Sequence, residues 1–566
     1  MTDGKRGSGG APIEDEVVFM ALGGLGEIGM NTYLYGIGPE RSRRWLMVDL
    51  GLTFPGEAEP GVDVVLPDLR FIEEERNALD GIVITHAHED HLGAVIDLWP
   101  KLGVPIYATP FTAGMLRSKL AEFGNRVKLP ITVVERGSRF NVGAFDIELV
   151  TMSHSIPEPS GIAIRTPYGV IFHTGDWKLD REPLVGDPTD EAKIKALAQE
   201  GVRALVCDST NAFRDGRSPS ETAVAQSITK IIGKAKRRVA VTTFASNVAR
   251  VRAVADAANA TRRHLVVAGR ALHRVIQVAI DTGYLPENFR YLDQQQASYL
   301  DPDEVLMLCT GSQGEPRAAL ARIAEDQHPD IDLRHGDLVI FSSRTIPGNE
   351  KSVAKVQNNL ALLGVDIITD ADALVHVTGH PRREELKELY DWLKPAVAIP
   401  MHGEARHLRE HAALAKAAGV PDVHAVQSGQ MVRLAPGPVA IVDEAPVGRV
   451  YRDGRLIVPA DGPVRDRRRL SHAGIVVVAI AMGRRGEILG EPELVLDGVP
   501  AESADGTPME DIAYSAVDGA LRSIPAAKRR DVALVREAVR RSVRAAIDQA
   551  WGKKPVAKVL INVIDS

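Results

Sequence analysis

Four candidate metal ligands crowd one short segment, Thr85-His86-Ala87-His88-Glu89-Asp90-His91. Alternate residues of an extended segment point the same way, so His86 and His88 are predicted to share one ion. A turn after them would aim Asp90 and His91 at a second ion. Imidazole with carboxylate suits Zn²⁺ or Mn²⁺, and such a mixed set is typical of a catalytic site. The alternative, a run of exposed loop histidines, is disfavoured by the density of ligands directly after a predicted strand.

Three further residues, His154, Asp176 and His402, also follow predicted strands. A lone histidine after a strand is more often an ordinary core or surface residue than a ligand. The shared strand-end position nevertheless makes all three candidates, with Asp176 as the natural bridging carboxylate. Two ions in such a set activate water at neutral pH and hold both oxygens of an in-line displacement at phosphorus, which is the chemistry of phosphodiester hydrolysis.

A second motif, Gly24-Leu25-Gly26-Glu27-Ile28-Gly29, matches the dinucleotide-binding pattern G-x-G-x-x-G. A nucleotide pyrophosphate needs the N-terminus of a helix at that point. The next residues, Met30–Tyr35, instead alternate like a strand. We therefore predict a tight turn between strands rather than a nucleotide site.

The elements that must position the ligands are mostly strands that end in polar clusters. These predicted strands are Gly81–Thr85, Gly169–His173, Ala204–Asp208, Ala373–Val377 and Ala396–Ile399. Between about 215 and 370 the pattern changes to regular alternation of strands and helices, which favours a parallel sheet with covering helices. Because ligand-bearing strands return after it, this block is interpreted as an insertion into the first domain.

Composition limits the class of protein. A chain of 566 residues is too long for one core, and its net charge of −7 means that nucleic acid would need local basic patches. Only Cys207 and Cys309 are cysteines, which argues against a disulfide scaffold and for a reducing compartment. The Gly-rich start lacks a signal-peptide core, and the most apolar run, Ala473–Met482, is about half a membrane span. We expect a cytoplasmic protein without a membrane association.

With these residues in hand, the chain resembles the metallo-β-lactamase superfamily, through H-x-H-x-D-H followed by a lone His, a lone Asp and a late His. The insertion resembles that of the β-CASP subgroup, which acts on nucleic acids. Several segments are similar to motifs of the bacterial ribonuclease J family: Gly23–Asn31, Cys207–Asn211, Phe244–Asn247, Thr310–Glu315 and Ser343–Glu350. The resemblance runs from about residue 16 to 450, and more loosely to the end.

The resemblance implies an α/β protein: a metallo-β-lactamase αββα sandwich with an inserted β-CASP α/β domain and a small α+β C-terminal domain. The predicted divisions are a disordered tail (1–15), the first part of the metallo-β-lactamase domain (16–214), the β-CASP domain (215–370), the second part of the metallo-β-lactamase domain (371–452), a linker (453–472) and the C-terminal domain (473–566).

The resemblance also implies roles for single residues. His86, His88 and His154 would hold one ion, Asp90, His91 and His402 the other, and Asp176 would bridge. Asp90, Asp208, His376 and His380 are the implied catalytic residues. Contacts to RNA phosphate are implied for Ser246, Asn247, His376, Thr378, Gly379 and His380, with Ser246 and Asn247 near a 5′-terminal phosphate.

The chain departs from the family pattern at three positions. Ala87 stands where Gly is usual, and Thr378 stands where Ser is usual but keeps the hydroxyl. Pro381 follows the phosphate loop where Gly is common; because proline lacks an N–H, we expect one backbone contact to phosphate to be lost.

The implied activity is that of a ribonuclease with two divalent ions, Zn²⁺ first, with Mn²⁺ or Mg²⁺ also able to support it. It would degrade RNA 5′-to-3′ from 5′-monophosphate ends and cleave internally, in RNA decay and in maturation of rRNA and mRNA. Implied partners are RNA, further copies in a homodimer or homotetramer, and other RNA-decay proteins.

Two other functions stay open at this point. A small-molecule ester or thioester hydrolase of the same superfamily is disfavoured by the large insertion, which suits a long polymer. A non-catalytic RNA-binding scaffold is disfavoured by the complete ligand set. The arginines of the last predicted helix, Arg536, Arg540, Arg541 and Arg544, either contact RNA or form a solvated face or subunit interface.

Overall fold

The computed structural model describes residues 15–124 and 127–564. The predicted disordered tail, 1–15, lies outside this range except for Asp15. The chain forms two compact units, one made of Met1–Thr53 with Val65–Arg449, the other of Phe54–Val64 with Val450–Ser566. In the part that the structure describes, no helix is both long and apolar enough to cross a bilayer.

Before the insertion, the described residues form thirteen strands and five α-helices. The strands are β1 (Glu16–Gly23), β2 (Leu25–Gly26), β3 (Thr32–Gly38), β4 (Arg44–Val48), β5 (Val64–Pro67), β6 (Leu79–Val83), β7 (Ile106–Ala108), β8 (Ile131–Val133), β9 (Arg139–Val142), β10 (Phe145–Thr151), β11 (Ser160–Thr166), β12 (Gly169–His173) and β13 (Val202–Asp208). The helices are α1 (Arg70–Glu74), α2 (Glu89–Leu92), α3 (Val95–Leu102), α4 (Pro110–Glu122) and α5 (Glu191–Glu200).

The middle of the chain forms a separate layer of strands and helices. Its strands are β14 (Val239–Thr242), β15 (His264–Ala268), β16 (Leu292–Asp293), β17 (Val305–Cys309), β18 (Leu338–Phe341) and β19 (Asp366–Ile368). Its helices are α6 (Glu221–Ile232), α7 (Val248–Thr261), α8 (Arg270–Asp281), α9 (Ala319–Ala324) and α10 (Glu350–Leu362). All six strands pair in parallel, in the order β16-β15-β17-β14-β18-β19, which confirms the predicted inserted parallel sheet.

After the insertion the chain returns to the first two sheets. The returning elements are α11 (Arg383–Leu393), β20 (Val397–Met401), β21 (Gly403–Glu404), α12 (Ala405–Ala417), β22 (Asp422–Val423), β23 (Gln430–Ala435) and β24 (Ala440–Glu444). One sheet has the order β24-β23-β1-β3-β4-β6-β7-β8 and the other β22-β20-β13-β12-β11-β10-β9. The insertion therefore splits the sandwich in sequence but not in space.

The two-residue period of the strands builds the sandwich core. On β13, Ala204 and Val206 belong to the cluster shared by both sheets, whereas Leu205 and Cys207 belong to the cluster that holds α5, α11 and α12. Strands buried on both faces read as continuous apolar runs, as β13 does. The layers are therefore helix, sheet, sheet and helix, which confirms the predicted αββα sandwich.

Parallel pairing brings the ligand-bearing ends of the strands to one edge. β12, β13 and β20 are parallel neighbours, so the residues at or just beyond their carboxyl ends, Asp176, Asp208 and His402, are placed side by side. The predicted strand Ala373–Val377 is wrong: this segment is not assigned to a strand. Its alternating burial makes it resemble a strand in sequence, but it lacks ladder pairing to a neighbour, and Ser342 Oγ donates to the Val375 carbonyl instead.

The second unit carries the C-terminal elements: β25 (Arg449–Asp453), β26 (Leu456–Pro459), α13 (Pro463–Ala473), β27 (Ile475–Gly483), β28 (Glu493–Asp497), α14 (Met509–Ser523), α15 (Val532–Trp551) and β29 (Val556–Ile564). β27 pairs with β28 and β29, and α14 and α15 pack on this sheet. The predicted linker 453–472 is thus largely ordered as β26 and α13. Arg540 and Arg541 both pair with Glu537, so part of the predicted basic stripe is neutralised.

Candidate metal centre

The segment after β6 turns two imidazoles toward one point. His86 Nε2 and His154 Nε2 each lie 3.1 Å from His88 Nδ1. Asp176 Oδ2 lies 3.8 Å from the Nε2 atoms of His86 and His154. These four residues, the first ligand group, offer ligand atoms that all fall within 4.8 Å of one another.

Neighbouring atoms fix the ring orientations of the first ligand group. His86 Nδ1 lies 2.9 Å from Thr85 Oγ1, and His154 Nδ1 lies 2.5 Å from the Gly379 carbonyl oxygen. A ring whose Nδ1–H donates to a carbonyl keeps its Nε2 lone pair for a metal. Burial lowers the pKa of His86 and His154 and lowers that of His88 to about 4, so all three rings are neutral near pH 7.

A second ligand group forms around the short helix α2. His91 Nε2 lies 3.3 Å from Asp176 Oδ2, and His402 Nε2 lies 3.3 Å from Asp90 Oδ2. His402 Nδ1 is 2.8 Å from Asp176 Oδ1. Asp90, His91, Asp176 and His402 again place their ligand atoms within 4.8 Å of one another. Asp176 is common to both groups, as a bridging carboxylate would be.

The second ligand group contains buried polar atoms that the protein itself does not satisfy. Both ring nitrogens of His402 and Oδ1 of Asp176 are buried without a hydrogen bond of acceptable geometry. Burial opposes a charged ring, but Asp176 outweighs it and raises the pKa of His402 to about 10. Buried carboxylates and imidazoles that converge without satisfying one another fit a bound cation. The residues present therefore fit two divalent ions.

Sequence reasoning missed Asp49 as a support of this site. Its carboxylate accepts from the Thr85 amide (2.7 Å) and hydroxyl (2.9 Å) and lies 2.7 Å from His91 Nδ1. It thereby aims His91 Nε2 at Asp176, as outer carboxylates do for ligating histidines. The available signal was its place directly after β4, the same strand-end position that marked the ligands.

Two of the four predicted catalytic residues, Asp208 and His380, lie next to each other. His380 Nδ1 lies 2.7 Å from Asp208 Oδ2 and 3.8 Å from Asp176 Oδ2. Burial works against the protonated ring, but Asp208 and then Asp176 raise the pKa of His380. The loop before it is shaped by two contacts: the His380 amide donates to Thr378 Oγ1, and a Cβ at Gly379 would collide with the His154 ring.

Three predicted phosphate contacts are not brought into the ligand groups. His376 Nδ1 is buried without a partner; burial and then Arg250 and Arg344 lower the pKa of His376 to about 3. The Asn247 side chain caps α7 by accepting from the Arg250 amide at 2.8 Å. Ser246 directly precedes this cap. Their roles toward RNA remain predictions.

The Gly-rich segment takes the turn that was predicted. Gly24, Gly26 and Gly29 have φ angles of 85°, 83° and 105°, a region that favours glycine, and the chain continues into β3 rather than a helix. Within this turn β2 pairs in parallel with β21, beside His402. The turn supports the segment that carries His402, and the nucleotide interpretation is excluded.

Four parts of the chain match known protein-family models. Residues 44–193 match the Beta-lactamase superfamily domain and 236–360 the Ribonuclease J beta-CASP domain. Residues 364–426 match the Zn-dependent metallo-hydrolase RNA specificity domain, and 462–564 the Ribonuclease J C-terminal domain. A crystal structure of a protein of unknown function from Enterococcus faecalis shares the fold, with a TM-score of 0.51 and 15% identity over 74% of this chain and 100% of that chain.

Curated relatives extend the match along nearly the whole chain. Ribonuclease J of Sinorhizobium meliloti is 51% identical over 97% of this chain and 98% of its own length. Ribonuclease J of Corynebacterium glutamicum is 38% identical over 95% of this chain and 74% of its own length. Ribonuclease J of Thermus thermophilus is 38% identical over 85% of this chain and 84% of its own length. With an inserted β-CASP sheet and this extent of identity, the chain belongs to the ribonuclease J family.

Proposed function

We propose that the chain hydrolyses phosphodiester bonds of RNA with two divalent ions. We propose further that it degrades RNA 5′-to-3′ from 5′-monophosphate ends and also cleaves internally, in RNA decay and in maturation of rRNA and mRNA. The observation that carries the proposal is Asp176, which lies between two complete ligand groups in a chain of the ribonuclease J family.

Each ligand group would hold one ion. His86, His88 and His154 would hold one, Asp90, His91 and His402 the other, with Asp176 shared; Zn²⁺ is the proposed ion, and Mn²⁺ or Mg²⁺ would also support activity. When bound, the ions supply Lewis acidity that offsets charge at the phosphate and eases deprotonation of water.

The protein's own groups would handle the proton of the leaving oxygen. His380 is held by Asp208 at 2.7 Å, and its raised pKa means that the protonated ring persists to higher pH than in a free histidine. Hydrolysis breaks the bond between phosphorus and the 3′-oxygen, and His380 is placed to donate that proton. Asp208 orients the ring and stabilises its protonated form.

The loop of Thr378 and Gly379 couples phosphate binding to the ions. The Gly379 carbonyl orients His154, while Asn211 Nδ2 donates to Thr378 Oγ1 at 2.7 Å and steadies the loop. A phosphate bound by this loop would therefore lie beside the first ligand group. The N-terminus of α7, at Ser246 and Asn247, is the proposed contact for a 5′-phosphate because helix N-termini favour anions.

The remaining expectations are proposals of the same kind. Cys207 and Cys309 are buried free thiols, in keeping with a reducing, cytoplasmic environment. Family resemblance leads us to propose a homodimer or homotetramer, which light scattering on the purified protein would test, and contacts with other RNA-decay proteins. The exact domain boundaries, 16–214, 215–370, 371–452 and 473–566, likewise remain predictions.

The decisive experiment compares three 3′-labelled RNAs that differ only in a 5′-monophosphate, triphosphate or hydroxyl. Wild type with Mn²⁺ should degrade the monophosphate form fastest, and Asp90→Ala should be inactive. Equal rates on all three would retain a nuclease but remove the 5′-end preference. Absence of RNA cleavage by metal-loaded protein, with turnover of a thioester, would replace the proposal by a small-molecule hydrolase.

A further inference from the structure

An exposed aromatic ring lies close to the metal centre. Phe213 is 42% exposed and follows Asp208 by five residues. Its ring stacks on His407, with ring centroids 5.0 Å apart and an interplanar angle of 13°. His407 is buried beneath it, so one face of the Phe213 ring is supported by protein.

Two guanidinium groups flank this ring. Arg214 Cζ lies 5.1 Å and Arg406 Cζ 5.9 Å from the Phe213 ring centroid. Arg406 Nε also pairs with Glu404 at 3.0 Å, whereas Arg214 has no ion pair among the described residues. An aromatic face beside cations is the arrangement by which proteins stack nucleic-acid bases and hold the adjoining phosphates.

Hydrogen bonds fix the ring next to the ligands. Thr210 Oγ1 donates to the His402 carbonyl at 3.2 Å, and the Glu404 amide donates to His407 Nδ1 at 3.2 Å. The segments that carry Phe213 and His407 are therefore tied to the segment that carries His402. A base on this ring would therefore be held by the segments that also carry Asp208 and His402.

Further positive charge lies nearby. Burial, and then the charges of Arg344 and Arg382, lower the pKa of Arg214, and the charge of Asp370 acts in the opposite direction. Neither Arg344 nor Arg382 has an ion pair among the described residues, and the Nε atoms of Arg214 and Arg382 are buried without a hydrogen bond. Arg214 therefore lies in the field of two further guanidinium groups, and the free Nε–H donors of Arg214 and Arg382 favour a bound anion such as a phosphodiester.

We propose that Phe213, seated on His407 and flanked by Arg214 and Arg406, is a subsite that stacks one base of single-stranded RNA and contacts its phosphate beside the metal centre. The inference rests on RNA being the substrate. Stacking is tolerant of base identity, so this subsite would add affinity without sequence preference. In the opposite interpretation Phe213 only covers His407, and its loss would leave RNA binding unchanged.

Binding is measured first, so that the test does not depend on cleavage. A fluorescein-labelled single-stranded RNA of about 12 nucleotides is titrated with the non-cleaving Asp90→Ala protein in Mn²⁺ buffer. Adding Phe213→Ala should raise the Kd about tenfold, whereas Phe213→Tyr should stay close to the parent. Tyr299→Ala, which removes an aromatic ring that is 86% exposed elsewhere, serves as the matched control and should have no effect.

A second readout separates stacking from a structural role. In the metal-loaded enzyme, Phe213→Ala should lower kcat/KM for RNA about tenfold more than for bis(p-nitrophenyl) phosphate, mainly through KM. An equal loss on both substrates, or a Kd no higher than that of the Tyr299→Ala control, would overturn the inference. Wild type that binds RNA through Phe213 without cleaving it would instead contradict the proposed function and leave the subsite standing.

Discussion

The two ligand groups share Asp176 but are built from different parts of the chain. The first group takes His86, His88 and His154, all of which precede the inserted sheet. The second group needs His402, which follows the insertion in sequence and is positioned by the pairing of β20 with β13. The second group therefore takes a ligand from beyond the insertion, whereas the first takes from there only the Gly379 carbonyl that orients His154.

The groups also differ in charge. Burial keeps the imidazoles of the first group neutral, with the pKa of His88 lowered to about 4. In the second group the carboxylates of Asp90 and Asp176 outweigh burial at His91, whose pKa is raised well above its usual value. Three nitrogens with one carboxylate suit Zn²⁺, and two carboxylates make the second group more tolerant of Mn²⁺. We therefore expect the two proposed ions to exchange at unequal rates.

The largest effect is expected for Asp176→Ala, because this carboxylate serves both groups. RNA cleavage should fall at least ~10⁴-fold, and metal content measured by mass spectrometry should fall from two ions per chain to fewer than one. Asp256→Ala, which removes a half-exposed carboxylate on α7, is the matched control. Retention of two ions by Asp176→Ala would show that the carboxylate does not bridge.

Asp90→Ala and His88→Ala should each impair metal binding in a different ligand group. Each should reduce cleavage at least ~10³-fold, but for different ions, because Asp90 belongs only to the second group and His88 only to the first. Asp90→Ala is expected to keep about one ion per chain, held by neutral imidazoles. Metal analysis of both proteins after identical dialysis checks this; equal depletion of both would contradict independent ligand groups.

Asp208→Asn tests whether His380, which lies beside the second ligand group, acts as the proton donor. Asp208 raises the pKa of His380, so the protonated ring persists to higher pH. With a neutral amide in its place, the pKa of His380 should fall and the alkaline limb of the pH profile of kcat should move to lower pH, with a loss of about 10²-fold near neutrality. An unshifted limb would remove His380 from the role of proton donor.

The smallest effect is expected from metal exchange. Dialysis of the Zn²⁺ enzyme against excess Mn²⁺ should replace the ion of the second group and leave that of the first, changing the cleavage rate by about tenfold or less. Mass spectrometry would then find one Zn²⁺ and one Mn²⁺ per chain. Replacement of both ions at the same rate would contradict the proposed difference in ion exchange between the two ligand groups.

Much of the fold and of the ligand set could be predicted from sequence because it is encoded locally. The spacing of His86, His88, Asp90 and His91 covers one strand end and one short helix, and the period of two marks the buried strands. The same locality explains the failure at Ala373–Val377, since alternation gives the pattern of a strand but cannot supply a paired neighbour.

What the sequence by itself determined is therefore which side chains follow strand ends, and hence which could be ligands. Only the tertiary structure decided that Asp49 supports His91, that the Gly379 carbonyl orients His154 across 225 residues, and that Phe213 rests on His407. These contacts depend on which distant backbone segments become neighbours when β4 aligns with β6 in one sheet and β12, β13 and β20 align in the other. That alignment is fixed by burial of whole sheet faces, a property that no short segment carries.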